Sequence, residues 1–420
     1  MLHYIVFLIF IVLLLRKYEN TAILLSALAC YLSVFRDPLN SMENLFQSLS
    51  LVMSVIGLIR YKKQVIYAPF FYCIIPILIS YTITMYAHGY YLKQYLIVFA
   101  QYMFPCILYC ILNDKNRIYL FVKYATFLLI LATSYCIFEE SISANPIMHW
   151  CESNVDSFTW LIDRTEFRFG VKRAQSFFAD VVSFGMSCAY VFIVFFILMS
   201  DKASIMQIKI RKILMLVLPL CVFLTGTRSV IMCFLVACFS LLTPQTIKKY
   251  RYPMIIVALI LILFMGSYFS SVYDSIFVDS TELGGSSSDM REGQWNIAFF
   301  YMAQDFWTGN GIYFTGNLLN SGGEEGLFGA EGMWLPVMMD RGMIGVICTL
   351  SAFIIGLIYI LKRKQYKLVW IWASFLLMKT ITTGVGVEPT YYEVILVVLF
   401  RYLEFKKKIV VLKFKIKNNL

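Results

Sequence analysis

The chain has 420 residues, of which 60% are apolar or aromatic and only 15% carry a formal charge. Soluble domains are about one quarter charged, and the mean hydropathy here is +0.74. The composition excludes a soluble enzyme, a disordered chain and a secreted disulfide scaffold, and it leaves an all-α polytopic membrane protein. The spans must be helical, because open sheet edges leave backbone groups unsatisfied in lipid.

In chain order, apolar runs fall at about 3–15, 21–35, 44–59, 64–86, 92–112, 118–138, 181–200, 212–225, 229–244, 253–270, 343–361, 368–384 and 391–405. A bilayer core needs roughly 20 residues per helix, so these runs predict 12–13 transmembrane helices. The segments 212–225 and 229–244 are short enough to form a tight hairpin.

Lys and Arg number 36 against 25 Asp and Glu, giving a net charge of +11. The basic residues cluster between apolar runs, as at Arg60, Lys62 and Lys63, at Lys115 and Arg117, and at Lys362, Arg363 and Lys364. This alternation is the signature of cytoplasmic loops and of contact with anionic lipid, not of nucleic-acid binding. The chain then divides into N-terminal helices over 1–138, a first long outer-face loop over 139–180, and central helices over 181–270. A second long loop over 271–332, C-terminal helices over 333–405 and a basic cytoplasmic tail over 406–420 complete it.

The eleven cysteines lie almost entirely inside apolar runs, and the three histidines are scattered at His3, His88 and His149. That pattern suits small hydrophobes and predicts no metal site and no cofactor. The two long loops are unusual, since most connections span only a few residues. Both are rich in aromatics, with Trp150, Phe158, Trp160 and Phe167 in the first and Trp295, Phe299, Phe300, Tyr301, Phe306 and Trp307 in the second. Such density predicts short amphipathic helices at the membrane surface, joined by glycine turns in the second loop.

Four groups carry candidate chemistry. In the first loop, Arg164, Arg168 and Lys172 are spaced i, i+4, i+8, followed by Arg173. On a helix the first three form one cationic stripe, either solvated and paired with Asp163 and Glu166 or serving as an anion site, for which Arg is the preferred side chain. Arg228 stands in the turn Gly226-Thr227-Arg228-Ser229 between two apolar runs, where an ionisable group is either functional or a snorkelling arginine. Arg291 is the lone basic residue in a loop of nine acids, so it reads as an anion contact or as one half of an internal ion pair. Glu331 precedes the span that follows Trp334. It reads as a helix N-terminal acid or as a general base whose pKa is raised at the membrane boundary.

These residues resemble a family pattern. Arg173-Ala-Gln-Ser-Phe-Phe-Ala-Asp with Gly185, the Thr225–Ser229 turn, Arg291 to Trp295 followed by Phe306-Trp-Thr-Gly-Asn-Gly, and Glu331 with Gly342 and Gly345 resemble, in order, four motifs of the O-antigen polymerase and ligase superfamily. The resemblance covers about 165–350. It implies a multi-pass glycosyltransferase of a bacterial inner membrane, with both long loops periplasmic. The donor it implies is an undecaprenyl-pyrophosphate-linked oligosaccharide, with a chain-length regulator and a flippase as candidate partners. Arg164, Arg168, Arg173 and Arg228 would bind substrate, and Glu331 and Arg291 would be catalytic, with no obligatory metal. Ligases of the superfamily carry His where this chain has Glu331, followed here by Gly332, and the departure favours a polymerase of the Wzy type. The rival outside this class, a lipid-linked oligosaccharide flippase, predicts charges along the middle of spans and uniformly short loops.

Overall fold

The computed structural model describes residues 2–32, 40–68, 70–154, 167–168, 171–178, 181–198, 208–242, 252, 287–321, 327, 332–382 and 394–406. Within them the apolar runs become helices. The first six are α1 (Leu2–Arg16), α2 (Tyr18–Leu32), α3 (Asn40–Val65), α4 (Phe71–His88), α5 (Leu92–Ile111) and α6 (Lys115–Ile142). After the short α7 (Pro146–Asn154) come α8 (Val181–Leu198), α9 (Ile208–Leu224) and α10 (Arg228–Cys238). The C-terminal part holds α11 (Ser287–Gln304), α12 (Phe314–Asn320), α13 (Trp334–Lys362) and α14 (Lys367–Ile381), then α15 over 394–406. The apolar run 253–270 lies outside the described residues.

Helices α4, α6, α8 and α13 are each long and apolar enough to cross a membrane. The protein is an all-α polytopic membrane protein. Its helices pack as neighbours: α13 along α4, α3 along α5, α8 against α9 and α10, α10 against α14, and α2 against α6. They share one continuous apolar core, while Phe127, Leu216 and Ile354 remain exposed on outward faces. Apolar residues on both faces of a helix are what a lipid solvent permits. Pro76, Pro105 and Pro219 sit inside α4, α5 and α9, a placement that neighbouring membrane helices tolerate.

The predicted hairpin at 212–244 is present, with α9 and α10 joined by Thr225, Gly226 and Thr227. In the first long loop, α7 forms a short helix capped by Asn145, whose Oδ1 accepts from Met148 N at 3.2 Å. The helical stripe expected through Arg164, Arg168 and Lys172 does not form between Arg168 and Lys172, the two of its residues that are described. Arg168 and Lys172 lie instead on a two-residue antiparallel ladder, Phe167–Arg168 against Val171–Lys172, with Phe167 opposite Lys172 and Arg168 opposite Val171. A ladder alternates faces with a period of two, so the spacing of four is not a helical spacing here.

In the second long loop, α11 packs on the first half of α13 through Ala298, Leu335 and Met339, with Leu327 in the same cluster. Trp295, Tyr301 and Phe314 close over it. Helix α13 breaks at Gly342, whose φ of 57° and ψ of −154° leave the helical region. The break is filled by the segment Asp305–Gly311. Met343 N donates to Phe306 O at 2.8 Å and Ile344 N to Trp307 O at 3.1 Å, while Asn310 N and Gly311 N donate to Met339 O and Asp340 O. Backbone freed by a break at membrane depth survives only where protein re-satisfies it. The loop supplies that.

Candidate functional site

The first anchor of the site is a buried carboxylate. Glu139, in the last turn of α6, is fully buried and accepts from four donors. Lys172 Nζ lies 2.7 Å from Oε1, Asn145 Nδ2 3.1 Å and Gln175 N 3.3 Å from the same oxygen, and Ser176 N lies 2.6 Å from Oε2. Asn145 Nδ2 also donates to Ser176 O at 2.8 Å, and Ser176 Oγ to Ala132 O at 2.7 Å. A buried charge is costly unless paired and hydrogen-bonded, and this one is both. The contacts bolt residues 172–176 to the end of α6, with Ser176 held at φ 56°.

Arg173 sits inside that bolted segment, 8% exposed. Its Nε donates to Thr225 O at 3.1 Å and its Nη2 to Thr227 Oγ1 at 2.8 Å. Beside them, Ala174 N donates to Leu224 O at 2.9 Å. The turn accepts this fork because Gly226 adopts φ 58° and faces the Arg173 side chain, where an added Cβ would lie 3.3 Å from Cγ. Gly185 of α8 lets the turn approach: a Cβ there would meet Val230 Cγ1 at 2.7 Å and Thr225 Cγ2 at 3.0 Å. Arg228 follows Thr227 directly as the first residue of α10 and is half-buried. The first loop and the α9–α10 turn, 52 residues apart at Arg173 and Thr225, thus meet through Arg173, Thr225 and Thr227, the last of which precedes Arg228 in the chain.

The other expected residues are distributed as follows. Lys172 is buried on Glu139 and not displayed to solvent. Arg291 is exposed in the first half of α11. Arg168 belongs to the ladder. Arg164 and Glu331 lie outside the described residues. The chain next to Glu331 is fixed: Gly332 N donates to Thr382 O at 3.1 Å and Met333 N to Lys379 O at 2.7 Å, and Trp334 Nε1 donates to Thr380 Oγ1 at 3.2 Å. The entry to α13 is therefore docked on the C-terminal end of α14.

A second polar cluster locks the broken helix. Arg341, 3% exposed, donates from Nη1 to Ser80 Oγ of α4 at 2.9 Å and lies 4.5 Å above the Tyr81 ring. Asp340 Oδ1 accepts from Thr315 N at 2.7 Å and Thr315 Oγ1 at 2.6 Å, which ties α12 to the break. On the other side, Thr84 Oγ1 donates to Thr308 O at 3.1 Å, and His88 Nε2 lies 3.0 Å from Thr308 Oγ1 and 3.3 Å from Asp305 Oδ2. The amides of Met343 and Ile344 at the start of the second half-helix are occupied by loop carbonyls. That helix N-terminus is structural and not an anion site.

Sequence reasoning missed Glu139, Arg341 and Lys379, all of them buried. The signal was present in each case, as the lone charge Lys379 inside an apolar run and as the charged pairs Glu139-Glu140 and Asp340-Arg341 at the edge of one, and ionisable groups so placed are by default candidates for a specific role.

No curated protein matches the chain. Residues 213–350 match the family model described as O-antigen ligase. The matched stretch contains the Thr225–Thr227 turn, Arg228, Arg291, Glu331 and the break at Gly342, and Arg173 reaches it from outside through the turn. About one third of this membrane protein, residues 213–350, is therefore similar to the O-antigen ligase family model, a likeness consistent with the O-antigen polymerase/ligase superfamily.

Proposed function

We propose that the protein polymerises a surface polysaccharide at the outer face of a bacterial inner membrane. The donor is a growing glycan on undecaprenyl pyrophosphate, and the acceptor is a hydroxyl of a lipid-linked repeat unit. The acceptor oxygen attacks the anomeric carbon of the donor. The bond from that carbon to the diphosphate oxygen breaks, and undecaprenyl pyrophosphate leaves with the electron pair. Glu331 takes the hydroxyl proton, and Arg173, Arg228 and Arg291 compensate the charge on the leaving diphosphate. Preorganised cations at the point where charge develops are usually the largest catalytic contribution.

The observation that carries this reading is the fork of Arg173 on Thr225 O and Thr227 Oγ1, immediately before Arg228. It supports a rigid cationic site built between two elements that are remote in sequence. Preorganisation of this kind serves an anion better than mobile lysines would.

A ligase reading, with transfer to lipid A–core, has one observation in its favour, the description of the matched family model. Glu331-Gly332, where ligases carry His, favours the polymerase. Deleting the gene and running the cell's lipopolysaccharide on a gel separates the two. Loss of the polymerase leaves core bearing a single repeat unit. Core with no repeat at all would identify a ligase, or a flippase if the repeat units remain on the cytoplasmic leaflet.

A further inference from the structure

Arg173 can serve as a rigid anion contact only if its backbone is held as firmly as its side chain. The side chain is fixed by the α9–α10 turn. The backbone is fixed from the other direction, by a carboxylate that lies outside every motif noted above and outside the matched residues 213–350. We propose that Glu139 is the positioning residue of the arginine site, acting through Lys172, Gln175 and Ser176, and that its charge is kept in the core for this purpose. The proposal rests on the reading of Arg173 as a donor-diphosphate contact.

Three observations support it. Glu139 grips the chain on both sides of Arg173, at Lys172 before it and at Gln175 and Ser176 after it. The grip is over-determined, because Asn145 bonds both Glu139 and Ser176 O, and Ser176 Oγ reaches back to Ala132 of the same helix. Finally, a buried ion pair is poor value for stability alone: apolar replacements of similar volume are often as stable or more so. Glu139 and Lys172 are both buried, so they hold a geometry at a cost that packing would avoid. Glu139 touches no reacting atom in this scheme and acts only through where it puts Arg173.

The test uses the full-length protein in proteoliposomes, with an undecaprenyl-pyrophosphate-linked glycan of several repeats as donor and a lipid-linked single repeat unit as acceptor, each varied at a fixed concentration of the other, and compares E139Q, E139D and R173A. Under the proposal, E139Q protein that is folded in the membrane shows a donor KM raised roughly 10- to 100-fold, the penalty expected for a misplaced positioning group. Acceptor KM is unchanged, and E139D recovers part of the loss. A merely structural role would lower the amount of folded protein and leave the donor KM of the surviving fraction as in the wild type. If E139Q does not reach the membrane, E139Q/K172M leaves no buried charge uncompensated and carries the same expectation. Wild-type donor KM in these variants, with R173A inactive, overturns the role of Glu139 and leaves the arginine site standing. Full activity of R173A overturns the arginine site itself, and the proposal with it.

Discussion

Gly309 and Gly342 meet backbone to backbone. A Cβ on Gly309 would lie 2.5 Å from Gly342 N, and one on Gly342 would lie 2.6 Å from Gly309 N. Both residues adopt positive φ, 69° and 57°, which side chains resist. No room exists on either side for a methyl group. Gly342→Ala and Gly309→Ala should each destabilise the protein by about 1–3 kcal/mol from backbone strain, with the clash added. Gly293, on α11 with nothing within 4 Å of its Cβ position, gives the contrast: Gly293→Ala should be neutral or stabilise by roughly 0.5–1 kcal/mol. Thermal unfolding in detergent checks both, and equal midpoints for the three variants would refute the account of the break.

The second prediction concerns the buried cation beside that break. Ser80→Ala removes the hydroxyl that receives Arg341 Nη1 and should cost about 1.5–3 kcal/mol, the range for a hydrogen bond to a charged group. Arg341→Ala also loses the Tyr81 contact and should lower the unfolding midpoint further. A midpoint for Ser80→Ala equal to wild type would show that the guanidinium does not depend on this oxygen.

At the opposite end of α6, Glu404 gathers Tyr109, Arg401 and Arg363. Tyr109 Oη donates to it at 3.0 and 3.1 Å, Arg401 Nη1 lies 3.2 Å away and Arg363 Nη1 3.6 Å away. Arg401 also lies 3.6 Å over the Tyr109 ring. Arg117, which bonds Ile111 O in the same region, precedes Glu139 by 22 residues, or about 33 Å of helix. Glu404→Ala should therefore lower stability without changing the donor or acceptor KM of the folded protein. A kinetic change at constant fold would join the two ends and contradict the separation.

The helices were legible because each is a run of apolar residues long enough to see without knowing its neighbours. The α9–α10 hairpin and the helices of the two long loops followed from spacing and aromatic content in the same way. Contacts between distant segments were not legible. Nothing local says that Glu139 meets Lys172 33 residues later, or that Arg341 reaches Ser80 across 261 residues. The cationic stripe failed for a related reason. A spacing of four becomes a helical stripe only if the segment is helical, and Lys172 was drawn to a buried carboxylate on another element. Arg173 and Arg228 were named from separate motifs, and the fork that ties Arg173 to Thr225 and Thr227, next to Arg228, required the fold.

That fork yields a fourth prediction. Thr227→Val keeps the side-chain shape but removes the Oγ1 acceptor of Arg173 Nη2. Donor KM should rise on the order of tenfold, stability should fall by about 1.5–3 kcal/mol for the lost bond to a buried guanidinium, and Thr227→Ser should restore both. Equal donor KM for Thr227→Val and wild type would remove the hydroxyl from the site.

Arg173 is the residue on which loss of polymer formation should be clearest. Purified full-length protein in liposomes, given an undecaprenyl-pyrophosphate-linked repeat unit alone, should produce glycans longer than one repeat and release undecaprenyl pyrophosphate in step with each bond formed. Arg173→Ala should abolish both products while the protein remains folded in the bilayer, and Arg173→Lys should rescue poorly, because an ammonium cannot reproduce the planar fork. A ladder of wild-type length from Arg173→Ala would contradict the claim that this guanidinium holds the donor diphosphate.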